Sequence, residues 1–137
     1  MPLAYLTDGE RVSFEAENNM VEPYVCVEVG GTAGQVDLPG QTTSVAKPII
    51  GVIQNSASAG EAVTVQMTGI TKCVAQAAIA KGARVASAAL TGRIDDAEDG
   101  TVGACYIGVA LEAASAGGEI ISVALNCPAV AEDGGAS

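Results

Sequence analysis

Apolar residues along this chain recur at every second position, in short runs that glycine breaks. Val25, Val27 and Val29 alternate with Cys26 and Glu28, and Gly30-Gly31 ends the run. Val63, Val65 and Met67 alternate with Thr64, Gln66 and Thr68 ahead of Gly69. Gly103, Cys105, Ile107, Val109 and Leu111 share one face of a later run, and Ile121, Val123, Leu125 and Cys127 share one face of the last. Period two is the geometry of a strand with one buried face, because successive side chains leave a strand on opposite sides. Helix propensity competes only at Ala75–Ala80, a stretch too short to hold a helix. Many short strands with glycine turns predict an all-β fold, a small β-barrel or sandwich of about seven to nine strands.

The same reading divides the chain. Residues 1–20 are polar with scattered apolar anchors and no stripe, which predicts an extended N-terminal arm with a short strand at Arg11–Glu15, the alternative being a first edge strand of the main domain. Residues 21–127 form a single β-domain. Its expected strands are Val25–Val29, Gln35–Leu38, Ile49–Ile53, Val63–Thr68, Ile70–Ala78, Val85–Leu90, Thr101–Leu111 and Ile121–Cys127, with Asp95–Gly100 as a loop. Residues 128–137 are an acidic, low-complexity tail, whose composition predicts disorder in isolation.

One stretch is echoed. Gly51–Met67 and Gly108–Leu125 both run strand, Ala-Ser-Ala-Gly turn, Gly-Glu, alternating strand. The offset is 57 residues up to Gly60 and Gly117 and becomes 58 after the extra Gly118. One hairpin design is used twice, with a glycine where the turn needs a positive φ.

Charge and residue inventory exclude several functions. Six Lys and Arg against sixteen Asp and Glu give a net charge of −10. Such a surface repels phosphate backbones and anionic lipid, so neither nucleic acid nor membrane is an expected partner. No run of 18 uncharged apolar residues occurs, and the N-terminus lacks the basic start and apolar stretch of a secretory signal, which points to a cytoplasmic origin. The chain has no His, which removes the commonest general base and metal ligand and any Ser-His-Asp or Cys-His catalytic set. Cys26, Cys73, Cys105 and Cys127 form no Cys-x-x-Cys pair, so partly buried free thiols are expected rather than a zinc site.

Other candidate sites fail on chemistry. Asp95-Asp96-Ala97-Glu98-Asp99-Gly100 offers carboxylates for Ca²⁺, but Ala97 and Tyr106 occupy positions where the EF-hand template needs oxygen ligands. Asp37, Glu61 and Glu119 are candidates for a catalytic carboxylate pair, yet nothing in the sequence joins them. Gly30–Gly34 lacks the Gly-Lys-Ser/Thr ending of a phosphate loop. No catalytic, cofactor-binding or metal-binding residue is therefore expected, and no cofactor.

The core is made of small side chains. Only Tyr5, Phe14, Tyr24 and Tyr106 are aromatic, although 49% of residues are apolar. Such a core buries little area per residue, which favours self-association.

The order of these elements resembles the capsid cement, or decoration, proteins of tailed bacteriophages. The residues that carry the likeness are Gly51–Gln54, Ala59–Val65, Gly69-Ile70, Ile79–Val85, Gly108–Ala113 and Gly117–Glu119 with the strand to Leu125, spanning roughly residues 45–126. The resemblance implies a non-enzymatic virion protein, assembled in the bacterial host cytoplasm. It would bind the outer capsid surface, contact the major capsid protein, associate as a homotrimer and clamp neighbouring capsid subunits. Capsid or neighbour contact is then expected from the arm, through Leu3, Tyr5, Leu6 and Phe14, whose aperiodic placement offers no burial on a self-contained element. The other class open to such a domain is a tail-fibre or adhesin module gripping a glycan or protein, for which few aromatics are available to stack on sugars.

Overall fold

The computed structural model describes residues 10–39, 48–88, 91–96 and 106–126. Those residues form ten strands and no helix: β1 (Arg11–Ala16), β2 (Cys26–Val29), β3 (Gln35–Asp37), β4 (Ile49–Ile53), β5 (Ala62–Gln66), β6 (Thr68–Val74), β7 (Arg84–Ser87), β8 (Ile94–Asp96), β9 (Tyr106–Ala110) and β10 (Ile120–Asn126). The first five close into a barrel in the order β1-β3-β2-β4-β5, and the last five form a sheet in the order β6-β10-β9-β7-β8.

The second sheet repeats the barrel, strand for strand, at a shift of 57–59 residues. Phe14 opposes Val63 in β1–β5 as Cys73 opposes Ile121 in β6–β10. Val29 opposes Val36 in β2–β3 as Ser87 opposes Ile94 in β7–β8. Cys26 opposes Val52 as Arg84 opposes Val109, and the bulge between Val27 and Glu28 returns between Val85 and Ala86. Ile53 opposes Val65 as Ala110 opposes Val123. Even the parallel closure is copied: Ala16 meets Val36 in the barrel, and Ala75 meets Ile94 as a single bridge that brings β8 round to the end of β6. The hairpin echo in the sequence is thus one part of a duplication that covers the described chain.

The turns show why the echo survives in the residues. Gly60 and Gly118 take φ of 89° and 90°, so Gly118 rather than Gly117 is the counterpart of Gly60. Their N–H groups donate to the carbonyls of Ala16 and Ala75, both at 2.8 Å. Glu61 Oε1 accepts the Ser58 N–H at 2.8 Å, and Glu119 Oε1 accepts the Ser115 N–H at 2.9 Å. Ala57 and Ala114, both buried, exchange backbone hydrogen bonds with Met20 and Ile79. Small residues, a left-handed glycine and a turn-capping glutamate are what this loop requires.

Each repeat has its own core. Ala16, Met20, Val25, Val27, Val36, Ile50, Ile53, Ala57, Val63 and Val65 fill the barrel. Their counterparts Ala75, Ile79, Ala83, Val85, Ile94, Ile107, Ala110, Ala114, Ile121 and Val123 fill the second repeat. Cys26, Ile49 and Val52 lie on the outer face of the barrel and pack into the second core, joining the two. Two small cores that bury surface against one another answer the shortage of large side chains within the chain itself.

Four expectations change. The described strands number ten rather than seven to nine, because β8 falls partly where the sequence predicts the Asp95–Gly100 loop; it is a short, acidic edge strand without apolar alternation. The strand expected at Arg11–Glu15, in an arm or at the edge of the main domain, is β1, and it is neither free nor an edge: it pairs with both β3 and β5, and Met20 after it is buried. Phe14, read as an exposed anchor, is half-buried against the barrel core, in the inward position that Cys73 fills in the second repeat. Several strands are also shorter than their apolar runs, since Ile70–Ala78 ends at Val74 and Val85–Leu90 at Ser87. Cys26 and Cys73 are both fully buried. Cys105, Cys127, Glu98, Asp99 and the 128–137 tail lie outside the described residues, as do Leu3, Tyr5 and Leu6.

Candidate docking surface

The duplication exposes an asymmetry. In the barrel, Cys26, Val52, Gln66 and Arg11 stand side by side across β2, β4, β5 and β1. Cys26, Val52 and Gln66 are fully buried, the first two against the second repeat. The Gln66 amide Nε2 donates to the carbonyls of Thr68 and Ile70 at 2.9 and 3.2 Å. The equivalent row of the second repeat is Arg84, Val109, Ala124 and Ile70 across β7, β9, β10 and β6. No third repeat follows to cover it among the described residues. Val109 is 39% exposed, Ala124 and Ile70 are half-buried, and Arg84 is exposed. A surface that is an interface in one repeat is open in the other.

Basic residues collect on this face. The Arg84 guanidinium carbon lies over the Tyr106 ring, 4.5 Å from its centroid, and cation–π attraction holds it there. Lys72 is exposed and opposes Ser122 one step along β6–β10 from Ile70. Where the two repeats meet, Arg11, Tyr24, Gln54, Ile70, Thr71, Lys72 and Ser122 line a groove of about 160 Å³. Its floor is fixed by Gln54, whose Nε2 donates to the Thr71 hydroxyl at 3.0 Å, and its rim by Arg11, whose Nε donates to Gln66 Oε1 at 3.0 Å. Arg11, Lys72 and Arg84 are half of the six basic residues of a chain that carries sixteen acids. A cationic, partly apolar strip on an otherwise acidic protein suits an acidic protein surface and selects against others.

Tyr24 in that groove is the one non-glycine described residue with a positive φ, 66°. Its N–H donates to Ile53 O at 2.8 Å and its carbonyl accepts the Val74 N–H at 3.0 Å, so the strained residue sits at the joint between repeats. Strain of this kind persists only where the surroundings enforce it.

The sequence-expected sites fare differently. Leu3, Tyr5 and Leu6 lie outside the described residues; the first described residues, Glu10, whose N–H donates to the Thr68 hydroxyl at 2.9 Å, and Arg11, which lines the groove, lie beside this face. Asp95 and Asp96 lie on β8, where Asp95 Oδ1 accepts the Asp96 N–H at 2.9 Å. Glu61 and Glu119 cap separate turns, each holding a serine N–H, and Asp37 lies in β3. The strip of Ile70, Lys72, Arg84, Val109 and Ala124 was missed; the only sequence signal for it was the repeat.

Known proteins supply the context. None of the curated proteins compared with the chain matches it. The crystal structure of the head fibre gp8.5 N base of bacteriophage phi29 has a similar fold, with a TM-score of 0.61 over 88% of this chain and 97% of that chain at 15% identity. The family model of the phage cement proteins matches residues 6–125, nearly the whole of the two-repeat fold. A capsid-associated structural role in the virion follows from that match, and the chain belongs to the phage cement protein family.

Proposed function

We propose that this protein binds the outer surface of a phage capsid, contacts the major capsid protein and stabilises the shell by clamping neighbouring subunits, acting as a homotrimer. The docking face is the open row of the second repeat with the groove beside it. One observation carries this reading: the row Cys26–Val52–Gln66 is buried, its first two residues against the second repeat, while the counterpart row Arg84–Val109–Ala124–Ile70 is covered by no further repeat among the described residues, with Arg84 and Val109 exposed and Ala124 and Ile70 half-buried. Leu3, Tyr5 and Leu6 act with it; the residues that follow them, Glu10 and Arg11, lie beside this face, Glu10 donating its N–H to the Thr68 hydroxyl and Arg11 lining the groove. An ordering segment loses conformational entropy, so its apolar contacts supplement the strip rather than replace it.

Undecorated heads mixed with the protein test the proposal. The wild-type chain should bind and raise the temperature at which the heads release their contents. Val109→Glu with Arg84→Glu should weaken binding by tenfold or more while the circular dichroism of the free protein is unchanged. Full binding by that variant would move the docking face elsewhere. Heads that are decorated yet no more stable would remove the clamping role, and single copies on the shell would remove the trimer.

A further inference from the structure

Glu28 and Asp37 stand directly opposite each other in β2 and β3, with both side chains fully buried. Directly opposed residues of an antiparallel pair project from the same face, so two carboxylates share one pocket of the protein. Asp37 is held: its Oδ1 accepts the Leu38 N–H at 2.9 Å and its Oδ2 accepts the Asn18 Nδ2–H at 2.9 Å. Glu28 is not. Neither of its carboxylate oxygens has a hydrogen-bond partner, although both are shielded from solvent. A buried carboxylate without donors is among the costliest groups a protein can carry, and it persists only when something neutralises it.

The second repeat shows that the fold does not ask for this group. The counterpart of the Glu28–Asp37 pair is Ala86–Asp95, and Ala86 is buried. The counterpart of Asn18, counted between the matched pairs Ala16–Ala75 and Met20–Ile79, is Ala77. Alanine meets the structural need at both positions, and only the first repeat replaces it with oxygen-bearing side chains around the shared aspartate. A carboxylate added at a position where alanine suffices, and left without donors, has the character of a ligand.

We propose that Glu28 and Asp37 bind a divalent cation, with Asn18 at the solvent-exposed end of the site. Two carboxylates are hard oxygen donors, which favour Ca²⁺ over the softer metals that take Cys or His, and Asn18, whose Nδ2–H holds Asp37 Oδ2, orients the second of them. The cation neutralises Glu28 and ties the chain after β1 to the β2–β3 pair. Asn18 is exposed, which supplies a way in. Each residue alone carries no ligand-spacing signal; the pairing of β2 with β3 creates the set.

The test uses the full chain, dialysed against chelator and titrated with Ca²⁺, Mg²⁺ and Mn²⁺ by calorimetry and thermal melting. One Ca²⁺ per chain with a Kd below about 1 mM, and a melting midpoint several degrees higher with Ca²⁺, is expected. Glu28→Ala copies the second repeat, so it should fold, and it should lose both the binding and the shift. Asp37→Asn should weaken binding at least tenfold. Absence of binding by the wild-type chain for all three ions overturns the proposal, and so does undiminished binding by Glu28→Ala. A melting difference between wild type and Glu28→Ala that follows pH but not the cation also overturns it, assigning the neutralisation to a proton.

Discussion

Tyr24 and Gly82 hold the same place in the two repeats. Both are left-handed, at φ 66° and 87°, and both donate their N–H at 2.8 Å to equivalent carbonyls, Ile53 and Ala110. The backbone needs this conformation, and glycine is its unstrained occupant. A Cβ on Gly82 would meet nothing within 4 Å, so space is not the constraint there.

That equivalence separates strain from packing. Tyr24→Gly and Tyr24→Ala both remove the half-buried ring, but only glycine also removes the strain. Tyr24→Gly should be the more stable of the two by about 1 kcal/mol in urea unfolding. Equal stabilities would show that Tyr24 is unstrained. Both should loosen capsid binding, since the ring walls the groove.

The barrel assignment of β1 makes truncation informative. A chain starting at Glu10 lacks Leu3, Tyr5 and Leu6 and should keep the β-sheet circular dichroism of the full chain. A chain starting at Val21 loses β1, which closes the barrel between β3 and β5, and should fail to fold cooperatively. A well-folded chain from Val21 would show that the closure is dispensable.

Arg93 ties the second repeat to the β1–β2 connection. Its Nε and Nη2 donate to the two carboxylate oxygens of Glu22 at 2.8 and 3.1 Å. The pair is about one-third exposed, so solvent screens it. Arg93→Ala should cost about 0.5–1 kcal/mol, and less at high salt. A salt-independent loss would mean that the guanidinium acts through packing alone.

Glu119 links one turn to pH. The Ser115 hydroxyl and the Ser115 N–H both donate to its carboxylate and hold its pKa below the usual value of 4.5. These bonds favour the ionised form, so the stabilisation is complete above the ordinary carboxylate value. It is lost as pH falls through the lower folded value. Carboxyl NMR titration should find Glu119 below the ordinary value in the wild type and closer to it in Ser115→Ala. An unchanged titration would place the cause elsewhere.

Alternation at Val25–Val29, Val63–Met67 and Ile121–Leu125 determined the all-β class, because period-two burial leaves no other regular structure. The hairpin echo was legible for a physical reason: its turn demands small residues, a left-handed glycine and a capping glutamate, so Ser58, Gly60 and Glu61 recur as Ser115, Gly118 and Glu119. The rest of the duplication left almost no trace in residue identity. A buried position accepts any apolar side chain of fitting volume, so Phe14 matches Cys73 and Met20 matches Ile79. β8 escaped notice because an edge strand needs no apolar alternation. Tertiary structure alone decided which row of each repeat is covered. Cys26–Val52 and Arg84–Val109 occupy one register position, and only the packing of the second repeat on the first buries the former and leaves the latter open. Strand pairing likewise decided that Glu28 faces Asp37, because register between strands depends on the whole sheet and not on either segment.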